Sequence, residues 1–473
     1  MFSKVKSLFG TQDMTVGKPS TCLWKFAIPM LISNIAQMLY SAADMAIVGR
    51  IVGDGALGAV GATGSIANLF LVFLMAVGAG VTVMVAQYFG AKDNERLGNS
   101  IGNAFTLMII LSIILTAVAL PLTGPMLRVT QTNDDIFDMA YIYLLILFIG
   151  TAANGFYNVM SGILRGLGDS VYPLIVLLIA AALNIFLDIW LVSVWNARWG
   201  EVAGVAGAAV ATVISQIFSA VACTWRVLRM KNLFSITKAT LKLQSVIVKQ
   251  IVRLGLPTGI QMAVMFLSNI VMQPFMMAMG STVVAAQVAT MRVDGFAVMP
   301  CQAFSNAVST YTGQNIGAGK MDRVKKGSTT TLIMSMSFSI VMVTAIMIWG
   351  KYLFALFSKT DDLINMGMGF IQIMIPAYII MSVNMTYNGV MRGAGDSVGT
   401  MWISLLMNVI LKIPITLILI FVSKTDELGK FPAGNPDMFM WGMVICMAIG
   451  LVITLSYYRL GKWKNKGVVG SPA

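Results

Sequence analysis

The sequence predicts an all-α polytopic membrane protein, twelve transmembrane helices in two pseudo-symmetric six-helix lobes, and three observations carry that prediction. The 473 residues are 58% hydrophobic and only 11% charged, with a mean hydropathy of +0.83, too apolar for an ordinary water-soluble domain. Apolar runs of spanning length recur along the chain. Two motifs also recur at one common offset. Arg165-Gly166-Leu167-Gly168-Asp169-Ser170 returns as Arg392-Gly393-Ala394-Gly395-Asp396-Ser397, and Gln87-Tyr88-Phe89-Gly90-Ala91-Lys92 returns loosely as Gln314-Asn315-Ile316-Gly317-Ala318-Gly319, both 227 residues later. A shared offset at two distant points is hard to obtain by chance. Six spans per repeat preserve orientation, so the halves form parallel repeats related by an axis along the membrane normal.

The predicted spans are 21–48, 56–86, 101–123, 138–162, 171–194 and 203–225, then 249–277, 283–311, 328–350, 363–388, 398–422 and 438–458. Residues 1–19 are too polar for a signal h-region, so the first run stays as a membrane helix. Within it Pro29 removes one backbone hydrogen bond. Pro257 is its approximate counterpart in span 7, which makes the two prolines hinge candidates. The polar segment 226–248, rich in Lys and Arg, separates spans 6 and 7. It divides the chain into an N-lobe (1–225), an inter-lobe linker (226–248) and a C-lobe (249–473). Basic residues beside a membrane gain about 1 kcal/mol each near anionic headgroups, a second use for the linker. The repeated Arg-Gly-x-Gly-Asp-Ser lies between spans. Its glycines permit a tight turn and its Asp or Ser can cap the next helix; it lacks the spacing of a nucleotide-binding loop.

The net charge of +13 is a topology signal rather than a nucleic-acid one. Arg165, Arg226, Arg229, Lys231, Arg253, Lys320, Arg323, Arg392 and Arg459 fall on the side of the termini, against Arg50, Arg128, Arg198 and Lys351 on the other. The positive-inside rule therefore puts both termini in the cytoplasm. The chain has no His, which excludes a histidine proton relay. Its four cysteines lack CxxC spacing, so neither a disulfide framework nor a zinc site is expected. Methionine is abundant at 37 residues, and its flexible side chain suits surfaces that repack around differently shaped apolar ligands.

Function is expected where charge interrupts hydrocarbon. Asp188 sits in the run Leu183-Asn184-Ile185-Phe186-Leu187-Asp188-Ile189-Trp190-Leu191. An acid at bilayer depth costs about 2.5–3.5 kcal/mol on insertion scales and therefore usually faces a cavity or a partner. Asn184, four residues earlier, shares its helical face. Span 1 holds a second acid in Leu39-Tyr40-Ser41-Ala42-Ala43-Asp44. Asp44 is six residues, roughly 9 Å, from the Arg50 end, and Asp188 lies in the matching half of span 5. Two carboxylates in one low-dielectric cavity favour uptake of a cation. In the second lobe Arg292, Asp294 and Lys412 are the ionisable residues inside apolar runs and, with Tyr40, are candidate substrate or gating contacts. At the 227-residue offset Asn184 falls on Leu411 and Asp188 on Ile415, so the C-lobe is expected to lack the acid pair.

Together these residues resemble the multidrug and toxic compound extrusion (MATE) family over nearly the whole chain. The shared features are Ala-x-Pro in span 1, Asp44-Met45-Ala46-Ile47-Val48-Gly49-Arg50, the Gly-Ala-Lys end of span 2, Arg-Gly-x-Gly-Asp, Asn184-x-x-x-Asp188 and Thr312-Gly313-Gln314-Asn315-Ile316-Gly317-Ala318-Gly319. Two N-lobe acids look like the DinF-like branch. The acids that the NorM-like branch carries in spans 7 and 10 are absent from 256–277 and 367–388. The resemblance implies that Asp44, Asn184 and Asp188 form a cation-coupling cluster, with the proton preferred and Na⁺ the other ion such a pair can hold. It implies an antiporter, not an enzyme, exporting amphipathic and often cationic drugs or toxic metabolites by alternating access. No cofactor or nucleic acid is expected; the setting is a monomer in the inner (cytoplasmic) membrane bilayer. A lipid-linked precursor flippase of the same superfamily is the alternative, though such flippases often carry extra helices and a basic cavity.

Overall fold

The computed structural model describes residues 10–355, 360–423 and 434–469, and these contain helices and no strand. The extreme termini, whose side of the membrane the charge pattern predicts, lie outside the described residues. The first half contains α1 (Pro19–Ile51), α2 (Asp54–Gly90), α3 (Asn94–Val129), α4 (Asp134–Ile149), α5 (Thr151–Gly166), α6 (Val171–Trp199) and α7 (Glu201–Arg229). A short α8 (Lys238–Leu241) leads to α9 (Ser245–Ala278), α10 (Ser281–Gly317), α11 (Met321–Ala355), α12 (Asp361–Gly393), α13 (Ser397–Leu405), α14 (Lys412–Ser423) and α15 (Pro436–Leu460). Ten of these helices, counting α13–α14 as one, are long and apolar enough to cross a bilayer. The pair α4–α5 makes an eleventh span bent by 47°. The twelfth is α10, 37 residues long, whose apolar character is interrupted by Arg292 and Asp294.

Two spans expected as single helices are interrupted, each for a local reason. Span 4 breaks at Gly150, where a Cβ would stand 2.9 Å from Val213 Cγ1, so the bend lets α7 pack into the corner. Span 11 contains a π-helical turn at Leu406–Leu411, joined to α9 by a hydrogen bond from Ser268 Oγ to the Asn408 carbonyl (2.7 Å). The linker is tied to α3. Asn103 donates to the Thr240 and Lys242 carbonyls (3.2 and 3.3 Å) and accepts from the Gln244 amide (2.7 Å). Thr237 and Thr240 form a reciprocal cap on α8.

The repeated turns have the caps their sequence predicts. Asp169 accepts from the Tyr172 amide (3.0 Å) and Asp396 from the Gly399 amide (3.1 Å), while Gly168 and Gly395 adopt φ of +87° and +95°. Each carboxylate has a second partner from the last span of its half: Arg226 lies 3.5 Å from Asp169, and the Tyr457 hydroxyl donates to Asp396 (2.7 Å).

The halves interlock on the face that carries both ends of the described chain. Residues Leu23, Phe26 and Met30 of α1 pack into a core with Phe304 and Tyr311 of α10, whereas Val48 near the end of α1 belongs to a core with Tyr143 and Val192. Likewise Ile247, Ile251 and Leu254 of α9 pack with Val81 and Met84 of α2, and Met272 packs in the second half. Pro29 and Pro257 sit where these helices leave one core for the other. At this face α2 and α10 cross so closely that a Cβ on Gly90 would overlap the Gln314 carbonyl, and one on Gly317 the Gln87 carbonyl. Gln87 Nε2 donates to the Gly393 carbonyl (2.9 Å) and Gln314 Nε2 to the Gly166 carbonyl (3.0 Å), equivalent bonds about the pseudo-two-fold. Their Oε1 atoms accept from the amides of Val468 and Met14 (2.7 and 2.8 Å), so the two terminal segments strap the crossing.

Candidate functional site

The N-lobe acids predicted from separate spans meet. Asp44 of α1 is 8% exposed, Asn184 and Asp188 of α6 are fully buried, and the carboxyls of Asp44 and Asp188 stand within hydrogen-bonding reach of each other. Among the described residues both Asp188 oxygens and Asp44 Oδ1 lack a hydrogen-bond donor. Two buried carboxyls side by side without a donor need a shared proton or a cation between them. Two residues that sequence reasoning missed complete the cluster. Thr212 of α7 accepts from Asn184 Nδ2 (3.5 Å) and lies within hydrogen-bonding reach of the Tyr40 hydroxyl. Tyr143 of α4 lies close enough to feel the charge of both carboxyls and is buried.

The local sequence explains the convergence. Tyr40 and Asp44 are four apart on α1, as are Asn184 and Asp188 on α6, so each helix offers one polar stripe. Small residues bring α7 against α6: a Cβ on Gly207 would stand 3.0 Å from the Leu191 carbonyl. The donor set is two carboxyls, the Asn184 amide oxygen, itself without a partner, and the Thr212 hydroxyl. It is hard and oxygen-only, suited to a proton or an alkali cation and unsuited to soft transition metals.

The other candidates scatter. Asp294 accepts a hydrogen bond from the Tyr378 hydroxyl of α12, a partner no sequence pattern indicated. Arg292 is exposed and forms no ion pair among the described residues. Lys412 is 9% exposed and donates to Asn269 Oδ1 of α9 (3.0 Å). Pro29 and Pro257 both lie inside continuous helices.

Comparison with known proteins settles the family. The MatE family model matches residues 29–190 and again 257–418, more than half of the chain. The chain belongs to the MatE family. It is 30% identical over 454 residues to "Probable multidrug resistance protein YpnP" of Bacillus subtilis (strain 168), covering 96% of this chain and 97% of the relative. To "DNA damage-inducible protein F" of Escherichia coli (strain K12) it is 23% identical over 346 residues, covering 72% and 73%. A solved structure described as an outward-facing multidrug resistance MATE family transporter of the MOP superfamily shares its fold, with a TM-score of 0.86 at 21% identity over 96% of this chain and 97% of that one. The expectation of a transporter rather than an enzyme agrees with these relatives.

The two MatE copies also correct the register of the repeat. Both their starts and their ends are 228 residues apart, while the loop motifs between them recur at 227. The π-turn supplies the extra residue ahead of Lys412, and burial follows the new register. Asn184 and Asp188 are buried with three more exposed residues between them, and Lys412 and Thr416 repeat that pattern. Asn184 therefore corresponds to Lys412 and Asp188 to Thr416, rather than to Leu411 and Ile415. On the first helix of each copy Tyr40 corresponds to Ser268 and Asp44 to Met272. The C-lobe still lacks the acid pair.

Proposed function

We propose that this MatE transporter is a cation-coupled antiporter that exports amphipathic, often cationic compounds by alternating access, with the proton preferred to Na⁺ as coupling ion and no cofactor. One observation supports this most: Asp44 and Asp188, from two helices of one lobe, are buried within hydrogen-bonding reach of each other, with no donor to Asp188 or to Asp44 Oδ1 among the described residues. An external cation reaching the pair neutralises it, releases substrate and permits closure. Its return then drives export, with about 2.3 kcal/mol per charge per 100 mV available. The functional lobes are residues 1–225 and 249–473 joined by 226–248, with both termini in the cytoplasm, in a monomer within the inner membrane. Basic residues concentrated on the termini side support that orientation.

Efflux of a fluorescent cation from proteoliposomes, with pH and Na⁺ gradients imposed separately, tests the reading. The expected result is transport driven by the pH gradient and abolished in a well-folded Asp188→Asn variant. Undiminished pH-driven transport by that variant would refute the assignment.

A further inference from the structure

The two lobes present opposite charge at equivalent positions. The N-lobe cluster holds Tyr40, Asp44, Asn184 and Asp188; the corresponding C-lobe positions hold Ser268, Met272, Lys412 and Thr416. The C-lobe cluster thus has a lysine where its counterpart has carboxyls. Lys412 is buried, and its Nζ, with three donors, has the single described acceptor Asn269 Oδ1 at 3.0 Å. None of the three ion pairs among the described residues includes it. One turn further along the same face the Thr416 hydroxyl is fully buried and has no partner among the described residues. Asn269 is exposed, so the cluster reaches an accessible side of the lobe.

A cation within the spanning segment, without a counter-charge, is costly and marks a place where charge is used. The π-turn immediately before it is what rotates Lys412 onto the buried face, and such turns are frequent at functional sites. Depth narrows the occupant. Lys412 is eleven residues from the Ser423 end of α14 and fifteen from Ser397, roughly 16 and 22 Å along the helix, beyond the reach of a headgroup held at either interface.

We propose that this C-lobe cluster is an anion subsite in which Lys412 pairs with the carboxylate of an amphipathic substrate, while Asn269 and the Thr416 hydroxyl supply further hydrogen bonds. The proposal rests on the transport function proposed above and adds a substrate class to it: amphipaths bearing an acid group, including zwitterions. The N-lobe pair holds the coupling cation and the C-lobe lysine holds the acid of the cargo.

Binding of dansylglycine and of its uncharged amide to the purified full-length protein, in nanodiscs of neutral phosphatidylcholine, tests this by fluorescence anisotropy. The acid is expected to bind wild type and Lys412→Arg alike. It should bind Lys412→Met about tenfold or more weakly, the scale of one lost hydrogen bond to a charged group. The amide should be indifferent to both changes. Thr416→Val, which keeps the charge, should weaken the acid selectively and serves if Lys412→Met does not fold. Equal affinity of wild type for acid and amide, or unchanged acid binding by Lys412→Met, would overturn the subsite. Competitive loss of acid binding when phosphatidylglycerol is added would assign the cluster to lipid headgroups and overturn the cargo role. If wild type shows no coupled efflux yet its acid binding depends on Lys412, the transport reading fails and the subsite stands.

Discussion

The carboxyls of Asp44 and Asp188 lie within hydrogen-bonding reach of each other, so their replacements should not add. Asp44→Asn and Asp188→Asn are each expected to abolish pH-driven efflux, and the double variant to be no worse than either single one, because both remove the same two-carboxyl unit. Additive losses, measured as initial efflux rates in proteoliposomes, would mean that the two acids act separately. The acids were readable because a carboxylate in an apolar run is chemically conspicuous. Thr212, Tyr143 and Tyr378 were not: a hydroxyl in a membrane span costs little and can satisfy itself on its own helix, so only neighbours brought by the fold single these three out. A second residue-scale prediction concerns Asp169, in the turn between α5 and α6. Burial pushes its carboxyl above the ordinary range, opposed by the Tyr172 amide and the Arg226 guanidinium. Removing the guanidinium raises it further. A carboxyl whose folded-state value lies above its unfolded one favours the folded state below the unfolded value and loses that contribution as pH rises through the folded one. Arg226→Gln should therefore lower the melting temperature more at pH 8 than at pH 5; an equal loss at both would exclude the ion pair as its cause.

At the scale of elements, α1 and α9 are single helices that belong to two cores each. Pro29 falls beside Met30 and Leu31, where α1 leaves the mixed core, and Pro257 follows Leu254 in the equivalent place on α9. A missing backbone hydrogen bond at each passage lowers the cost of bending there. Pro29→Ala is expected to slow efflux several-fold, on the order of 1 kcal/mol of barrier, while leaving the melting temperature unchanged or raised. Wild-type turnover in both Pro29→Ala and Pro257→Ala would remove the hinge role. The helix boundaries themselves were largely legible, since composition alone decides what can cross a bilayer. The bend at Gly150 and the π-turn at 406–411 were not, because both answer to a neighbour: Val213 in one case, Ser268 in the other. The π-turn had the larger consequence. By adding one residue it changed which side chains correspond between lobes, so a constant offset read from the loops paired Asn184 with the wrong position.

For the whole molecule, the pseudo-two-fold is most visible at the face where Gln87 and Gln314 each reach into the opposite half and are each held by a terminal segment. Opening this face requires breaking both glutamine bonds, a symmetric latch. The double variant Gln87→Ala with Gln314→Ala should populate the form open on the termini side. Spin labels at the exposed Lys92 and Lys325 should then report an added long-distance population relative to wild type. An unchanged distance distribution would show that helix packing alone holds the face shut.

By itself the sequence determined the all-helical membrane class, the two-fold repeat and the acids worth attention, because burying a backbone or a charge in hydrocarbon has a cost that composition and spacing record directly. Only the tertiary structure decided that Asp44 meets Asp188, that Thr212 and Tyr143 close around them, and that Lys412 stands where Asn184 stands in the other lobe. Those are facts about distance between segments far apart in the chain, set by close glycine crossings and one π-turn whose energetics depend on the partner helix.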